Sequence, residues 1–424
     1  MTLSEPLPAS VAAGILSDRL LPAEFAALCD CGGRLAGTPS EAAARELVRR
    51  LGESATGRPA ETVPTPYDGW QAASTTLEVV EGARVLSLGC HPLVRTVATP
   101  PSGLEAEVVP VGRGTEAEFA ALAPVLAGRI ALVRHEYMFA AGHIHRRLKY
   151  AWAQQAGAVG FLIAGPLPTR PVAGSCGRGR EDGIPALGIT PEAAARLAPR
   201  GSGYALARLR ITADEFADST DAILFDLPGK MAETVVLSAH LDGHDLAESA
   251  IDNATGIAAA LAVARALAPH AGCFRRGLRL AFFSAEEWAL TGSRVYLEHL
   301  PTADRETLAL NINLDSVAGS DHLTALCSGS SKLATWVERR SSAAGVPVRT
   351  YLPHMANSDH ANFAQHNIPA LRLVAGFDEL DSNLKHVLTA ADTRDKVGEG
   401  QLRFAALAAA VLVWSALTDE RLVS

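Results

Sequence analysis

Between residues 222 and 417, short unbroken apolar runs alternate with segments of helical periodicity. The segments 222–227, 235–239, 278–284, 308–314 and 369–374 read as strands that are apolar on both faces. The segments 254–267, 290–299, 331–344, 361–366 and 401–417 read as helices. Strands of that kind must be covered on both sides. The pattern therefore demands an α/β fold with a mostly parallel, mixed sheet sandwiched by helices. Several runs also lead directly into charge: one into His240, one into Glu286-Glu287, one into Asp315, and the last into a loop holding His386. Ligands of open α/β sheets gather beyond the carboxyl ends of the strands, so these side chains are expected at one edge.

Carboxylates placed directly after Leu-Ala-Phe-Phe-Ser are costly unless their charge is compensated. A metal ion resolves that conflict, and a set of His nitrogen and carboxylate oxygen suits zinc. Five ligands and one spare carboxylate suit two zinc ions about 3.5–4 Å apart. Asp252, at the start of the helix beginning near Ala254, is placed to bridge. His240 and Asp315 then serve one ion, and Glu287 and His386 the other. Glu286 becomes the general base for water activated between the two zinc ions. Asp242 is expected to orient His240 through its other ring nitrogen. His244 reads as a neighbouring support or surface residue.

The rest of the chain divides by character. Residues 10–55 read as helical, interrupted at 34–39, and 60–82 as extended, with Trp70 packing. Residues 83–205 mix strand-like runs with Gly and Pro and one helix-like run, 144–155, which suggests a smaller β-rich insert. The domain scheme is therefore 1–82 as the N-terminal part of the larger domain, 83–205 as the insert and 206–424 as the main domain. His135, His143 and His145 lie in the insert without a carboxylate or Cys at a spacing that completes a metal site. The charged, Gly-rich stretch 177–182 reads as a solvated turn. The net charge of -8 lacks the basic footprint of a nucleic-acid binder. No run reaches the roughly 18 consecutive apolar residues of a membrane span, so no membrane partner is expected. The six scattered Cys read as reduced thiols. The N-terminus carries no cationic start followed by an apolar stretch, which makes the cytoplasm the default expectation; a mature chain with its signal removed would look the same.

Five ordered motifs resemble the co-catalytic zinc metallopeptidases of family 28, which include aminopeptidases and glutamate carboxypeptidases. They are Ala239-His240-Leu241-Asp242 with Asp252-Asn253-Ala254-Thr255-Gly256, Phe283-Ser284-Ala285-Glu286-Glu287, Asn313-Leu314-Asp315, Ser358-Asp359-His360-Ala361-Asn362-Phe363, and Ala391-Asp392-Thr393-Arg394-Asp395. Residues 34–39 resemble the family's N-terminal turn, the middle segment resembles its protease-associated (PA) insert, and the loop 242–246 looks closest to the plasma glutamate carboxypeptidase branch. The resemblance implies a zinc exopeptidase acting on a peptide or small amide substrate, with homo-oligomerisation left open. It also implies a cis bond at Asp252-Asn253, with His360 lining the substrate cleft or fixing its loop and Trp288 shaping the pocket. Two departures stand out. The family places its last His four residues before the Asp of Asp-Thr, whereas His386 lies six before Asp392, with His354 and His360 as rival ligands; Trp288 replaces the family's usual Glu or Gly. The alternatives are a di-zinc amidohydrolase or deacylase on non-peptide amides, a single-zinc cyclotransferase, and a receptor-like scaffold without catalysis.

Overall fold

The computed structural model describes residues 6–179, 183–199 and 203–422. Its strands are β1 (Glu61–Glu81), β2 (Arg84–Leu88), β3 (Cys90–Pro92), β4 (Leu104–Gly112), β5 (Ile130–Arg134), β6 (Gly160–Ala164), β7 (Ala186–Ile189), β8 (Ala205–Leu227), β9 (Thr234–His240), β10 (Gly277–Phe283), β11 (Leu308–Leu314), β12 (Leu323–Leu326), β13 (Arg349–Tyr351) and β14 (Ala370–Ala375). Strands β10, β9, β11 and β14 lie side by side and parallel, so their carboxyl ends share one edge. Beyond β14 come β12, antiparallel to it, and β13.

The insert is not a detached sheet. β1 and β8 pair antiparallel from Glu61↔Leu224 to Val80↔Leu206. The last part of β8 also pairs with β10, and its first part with β4. This ribbon carries the main sheet directly into the parallel strands β4, β5, β6 and β7, which β3 completes. The sequence pattern showed only residues 222–227 of β8, because residues 212–221 are mostly polar and exposed. Helix Glu116–Leu126 was also missed; Thr115 begins it, accepting from the Glu118 N–H while the Glu118 side chain accepts from the Thr115 N–H.

Helices Thr255–Leu267 and Glu399–Thr418 cover one face of the main sheet. On the other face Tyr296, Leu297 and Phe363 pack on Val236, Ala281 and Phe283. Each such side chain, fully buried, contributes about 1.5–3 kcal/mol from its removal from water. Two helical stretches, Ala250–Cys273 and Glu399–Thr418, are long and apolar enough to cross a membrane by length and composition, although charge interrupts their apolar runs; 56% and 72% of their most apolar windows are buried inside the protein. All six cysteines are free thiols.

Candidate metal centre

His240 is the last residue of β9, at the common edge. Its Nε2 lies 3.0 Å from Asp252 Oδ1 and 3.5 Å from Asp315 Oδ1. Its Nδ1 lies 3.0 Å from the main-chain carbonyl oxygen of Asp242. The main-chain carbonyl of Asp242 makes the shorter contact, with Oδ1 of its carboxylate 3.8 Å from the same nitrogen, and that carboxylate has further partners. Asp242 Oδ1 accepts from the N–H of Glu286 at 3.0 Å, and Oδ2 from the N–H of Glu287 at 3.1 Å. One buried carboxylate thus holds both residues of the acidic pair, just after a turn at Ala285 with φ of 58°, a conformation L-residues adopt at some cost.

Asp252 is placed by a second carboxylate, Asp392, which accepts from the N–H of Ile251 at 2.7 Å and of Asp252 at 3.2 Å. The Asp252-Asn253 bond is cis, as the resemblance implied. The Asn253 side-chain oxygen accepts from the N–H groups of Gly256 and Ser316, and its amide donates to the Leu314 carbonyl. This ties the helix start to the end of β11. Only glycine fits at 256, since a Cβ there would lie 2.3 Å from the Leu314 oxygen. Arg34 is fully buried and donates to the carbonyls of Leu28, Gly32, Leu241, Glu248 and Ser249, so the N-terminal turn braces the loop between His240 and Asp252.

Asp315 follows β11 and pairs with Arg372 of β14 at 3.1 Å. Burial opposes its ionisation, but Arg372 and His240 outweigh burial and hold its carboxyl below the usual range. Glu286 goes the other way: burial, with Glu287, Asp359 and Asp315 nearby, pushes it well above the usual range despite His240. Burial and Asp252 push Glu287 up to about 7. The centre is thus anion-rich, and the cost of crowding carboxylates away from water falls when a dication joins them. One ligand atom from each of His240, Glu286 and Asp315 lies within 4.8 Å of the others. With Asp252 in hydrogen-bond contact with His240, these residues fit zinc.

These side chains open on a cleft, which Glu287 also lines. The far wall comes from the insert: Met138, Phe139, His143, His145, Arg146 and Arg147. Sequence reasoning did not place the insert here, since nothing local to residues 138–147 announces which face they meet. His145 caps the helix Arg146–Gln155 by accepting from the Arg147 N–H.

Three expected site residues lie elsewhere. His386 ends a half-buried turn and is not among the cleft residues; besides burial, Lys396, Lys385 and Arg170 lower its basicity. Leu388 fronts the cleft instead, four positions before Asp392. Trp288 is buried away from the cleft, edge-on to Tyr67 at 5.4 Å, with its indole N–H donating to the Asp68 carbonyl. His360 is fully enclosed behind the site, lowered by burial to about 3. Trp288 packs in an apolar cluster with Leu35, Tyr67 and Trp70, whereas His360 is buried near Arg372, His354 and Asp315. The rival His354 has its ring 6.4 Å from that of His360 and lies outside the cleft. His244 is buried, with Nε2 3.8 Å from Asp392. Of the stretch 177–182, residues 180–182 lie outside the described residues.

Residues 222–413 match the model described as Peptidase family M28, and residues 91–197 that of the PA domain. The chain is 32% identical over 169 residues to the probable lipoprotein aminopeptidase LpqL of Mycobacterium tuberculosis, covering 39% of this chain and 33% of that protein. It is 27% identical over 157 residues to leupeptin-inactivating enzyme 1 of Streptomyces exfoliatus, covering 37% and 36%. With aminopeptidase YwaD of Bacillus subtilis the identity is 26% over 335 residues, covering 76% and 69%. The matches to the first two thus span about a third of those relatives' lengths. In fold, the chain is similar to an aminopeptidase from Aneurinibacillus sp. strain AM-1, with TM-score 0.71, 23% identity and 98% of each chain covered. It is also similar to a peptidase M28 precursor from Shewanella amazonensis, with TM-score 0.78, 21% identity, and 97% and 96% covered.

Proposed function

We propose, from the match of residues 222–413 to peptidase family M28 and of residues 91–197 to the PA domain, that the protein is a zinc-dependent exopeptidase of the aminopeptidase type. The observation that carries the reading is the convergence of His240, Asp252, Glu286 and Asp315 on one buried edge, facing a cleft. The relatives named above as aminopeptidases support removal of the N-terminal residue of a peptide.

His240, Asp315 and Asp252 would hold the ion. Zinc bound there would supply Lewis-acid activation of water and of the scissile carbonyl. The remaining steps belong to the chain. Glu286 takes the proton of the attacking water on its carboxylate and returns it to the leaving amine. Asp242 fixes the backbone from which Glu286 projects, and Arg372 keeps Asp315 ionised as a ligand. Phe139, Leu290 and Leu388 bring apolar surface to the cleft, which limits water there. A second ion would draw on Asp252 and Glu287, with His386 as its remaining ligand. His386 would have to enter the cleft for that, so the second equivalent is expected to bind more weakly than the first. Further nitrogen donors, His143 and His145, already line the cleft from the insert.

The test is a panel of dipeptides, aminoacyl amides and N-acyl amino acids, assayed with zinc and after chelation. Zinc-dependent cleavage of the substrates with a free amine is the expected result. Cleavage confined to N-acyl amino acids would replace the aminopeptidase by a deacylase.

A further inference from the structure

A zinc site needs nitrogen and oxygen donors that converge. Among the described residues, one trio does so: His240, Glu286 and Asp315 bring ligand atoms within 4.8 Å of one another. Asp252 joins them through His240, 3.0 Å away, so one ion has its set. Glu287 belongs to no second set of this kind. The other imidazoles of the cleft, His143 and His145, stand on the insert, outside the trio. The C-terminal loop brings Leu388 to the cleft. Leu388 stands four positions before Asp392, the spacing at which the resembled family carries its last histidine. Its backbone holds φ of 60°, and its carbonyl accepts from the Ala173 N–H at 2.8 Å. The loop is thus pinned with a hydrocarbon side chain, which offers a metal no lone pair.

Glu287 is therefore a carboxylate in search of a cation. It is only 6% exposed, yet it lines the cleft. Asp242 fixes its backbone N–H at 3.1 Å. Its own carboxylate forms no hydrogen bond or ion pair among the described residues. Arg146 favours its charge without pairing with it, and Asp252 opposes that charge. Phe139, Leu290 and Leu388 add apolar surface to the same cleft. A buried carboxylate beside another is costly until a cation joins them. An alkyl ammonium brings one charge and three donors, and it needs no imidazole. It meets the demand at a place where a second zinc ion lacks its nitrogen ligand.

We propose that Glu287 is the docking carboxylate for the substrate's N-terminal ammonium, and that Leu388 keeps this place free of a second tight zinc ion. This rests on the exopeptidase reading and deepens it. The working centre holds one tight ion, on His240, Asp252 and Asp315. The free amine is recognised by Glu287, where a second ion would compete with it. The substrates are peptides and aminoacyl amides with an unblocked, charged amino terminus. Excess zinc, drawn weakly to Asp252 and Glu287, displaces that ammonium and inhibits the enzyme.

The experiment pairs calorimetric zinc titration of the full chain with kinetics on leucine p-nitroanilide. The wild type is expected to take one tight equivalent. Zinc beyond it raises KM and leaves kcat unchanged, as competition for one site requires. The probe 3-methylbutylamine, an alkyl ammonium at neutral pH, weakens the second equivalent and not the first. Glu287→Gln keeps the tight equivalent but raises KM by roughly tenfold or more, the scale of a lost charge-assisted hydrogen bond, with kcat much less affected. Leu388→His supplies an imidazole and gains a second tight equivalent. Two tight equivalents in the wild type overturn the inference and leave the exopeptidase standing. So does loss of the tight equivalent, or an unchanged KM, in Glu287→Gln. A Leu388→His protein that still takes one tight equivalent overturns the part given to Leu388. No cleavage of the anilide at any zinc level overturns both readings. The wild-type titration, with and without the amine, decides even if a variant does not fold.

Discussion

At the scale of single residues, the centre separates groups that meet the chemistry from groups that hold them. Glu286 belongs to the first kind. Glu286→Gln keeps shape but cannot take a proton, and turnover is expected to fall by about 10²–10⁴-fold with zinc content retained. Activity and elemental analysis on the same sample check this; near-normal turnover removes the base role, and lost zinc makes Glu286 a ligand. The metal ligands give a second prediction. His240→Ala is expected to abolish tight zinc binding, whereas His386→Ala leaves one tight equivalent in place, because His386 lies outside the cleft. Calorimetric zinc titration of both variants decides it, and loss of the tight equivalent in His386→Ala would show that the loop carrying it closes onto the ion.

Elements meet at this site through buried polar contacts rather than through apolar packing alone. Asp242 links the ends of β9 and β10, Asn253 links the helix start to β11, and Asp392 links the C-terminal loop to Asp252. Arg34 links the N-terminal turn to the loop after β9. Arg34→Met, similar in volume but without donors, leaves buried carbonyls unpaired and should lower stability by about 3 kcal/mol or more. Chemical denaturation measures this. A change below 0.5 kcal/mol, the usual scale of a neutral surface substitution, would mean that water replaces the guanidinium.

In the whole molecule, the continuous β1–β8 ribbon fixes the insert over the cleft, and a few contacts close it. Tyr137 donates to the Gly376 carbonyl at 2.6 Å and meets Ser382 Oγ at 2.7 Å. The Ala141 N–H donates to Asp378 and the Ala173 N–H to the Leu388 carbonyl. Phe139 lies under Arg372, 5.5 Å from its guanidinium carbon. Tyr137→Phe should cost about 1 kcal/mol and raise amide hydrogen exchange across residues 376–388 without affecting β9 to β11. Unchanged exchange there would mean that the ribbon alone holds the insert.

The sequence by itself determined the parallel centre of the sheet, the order of the motifs and the floor of the site. Apolar runs end in charge only where a strand leaves the core, so His240, Glu286, Glu287 and Asp315 announce their position by local pattern. Asp252 followed from its place at a helix start. What only the tertiary structure decided are contacts between segments distant in the chain. The carboxylate of Asp242 serves the acidic pair 44 and 45 residues away; Asp392 serves Ile251 and Asp252 across about 140 positions. Arg372 supports Asp315, and the insert brings its arginines over the floor. His386, Trp288 and His360 carried suitable side chains at plausible places. Whether such a side chain faces a cleft or the packing behind it depends on loop paths and on neighbours, and spacing along the chain contains neither.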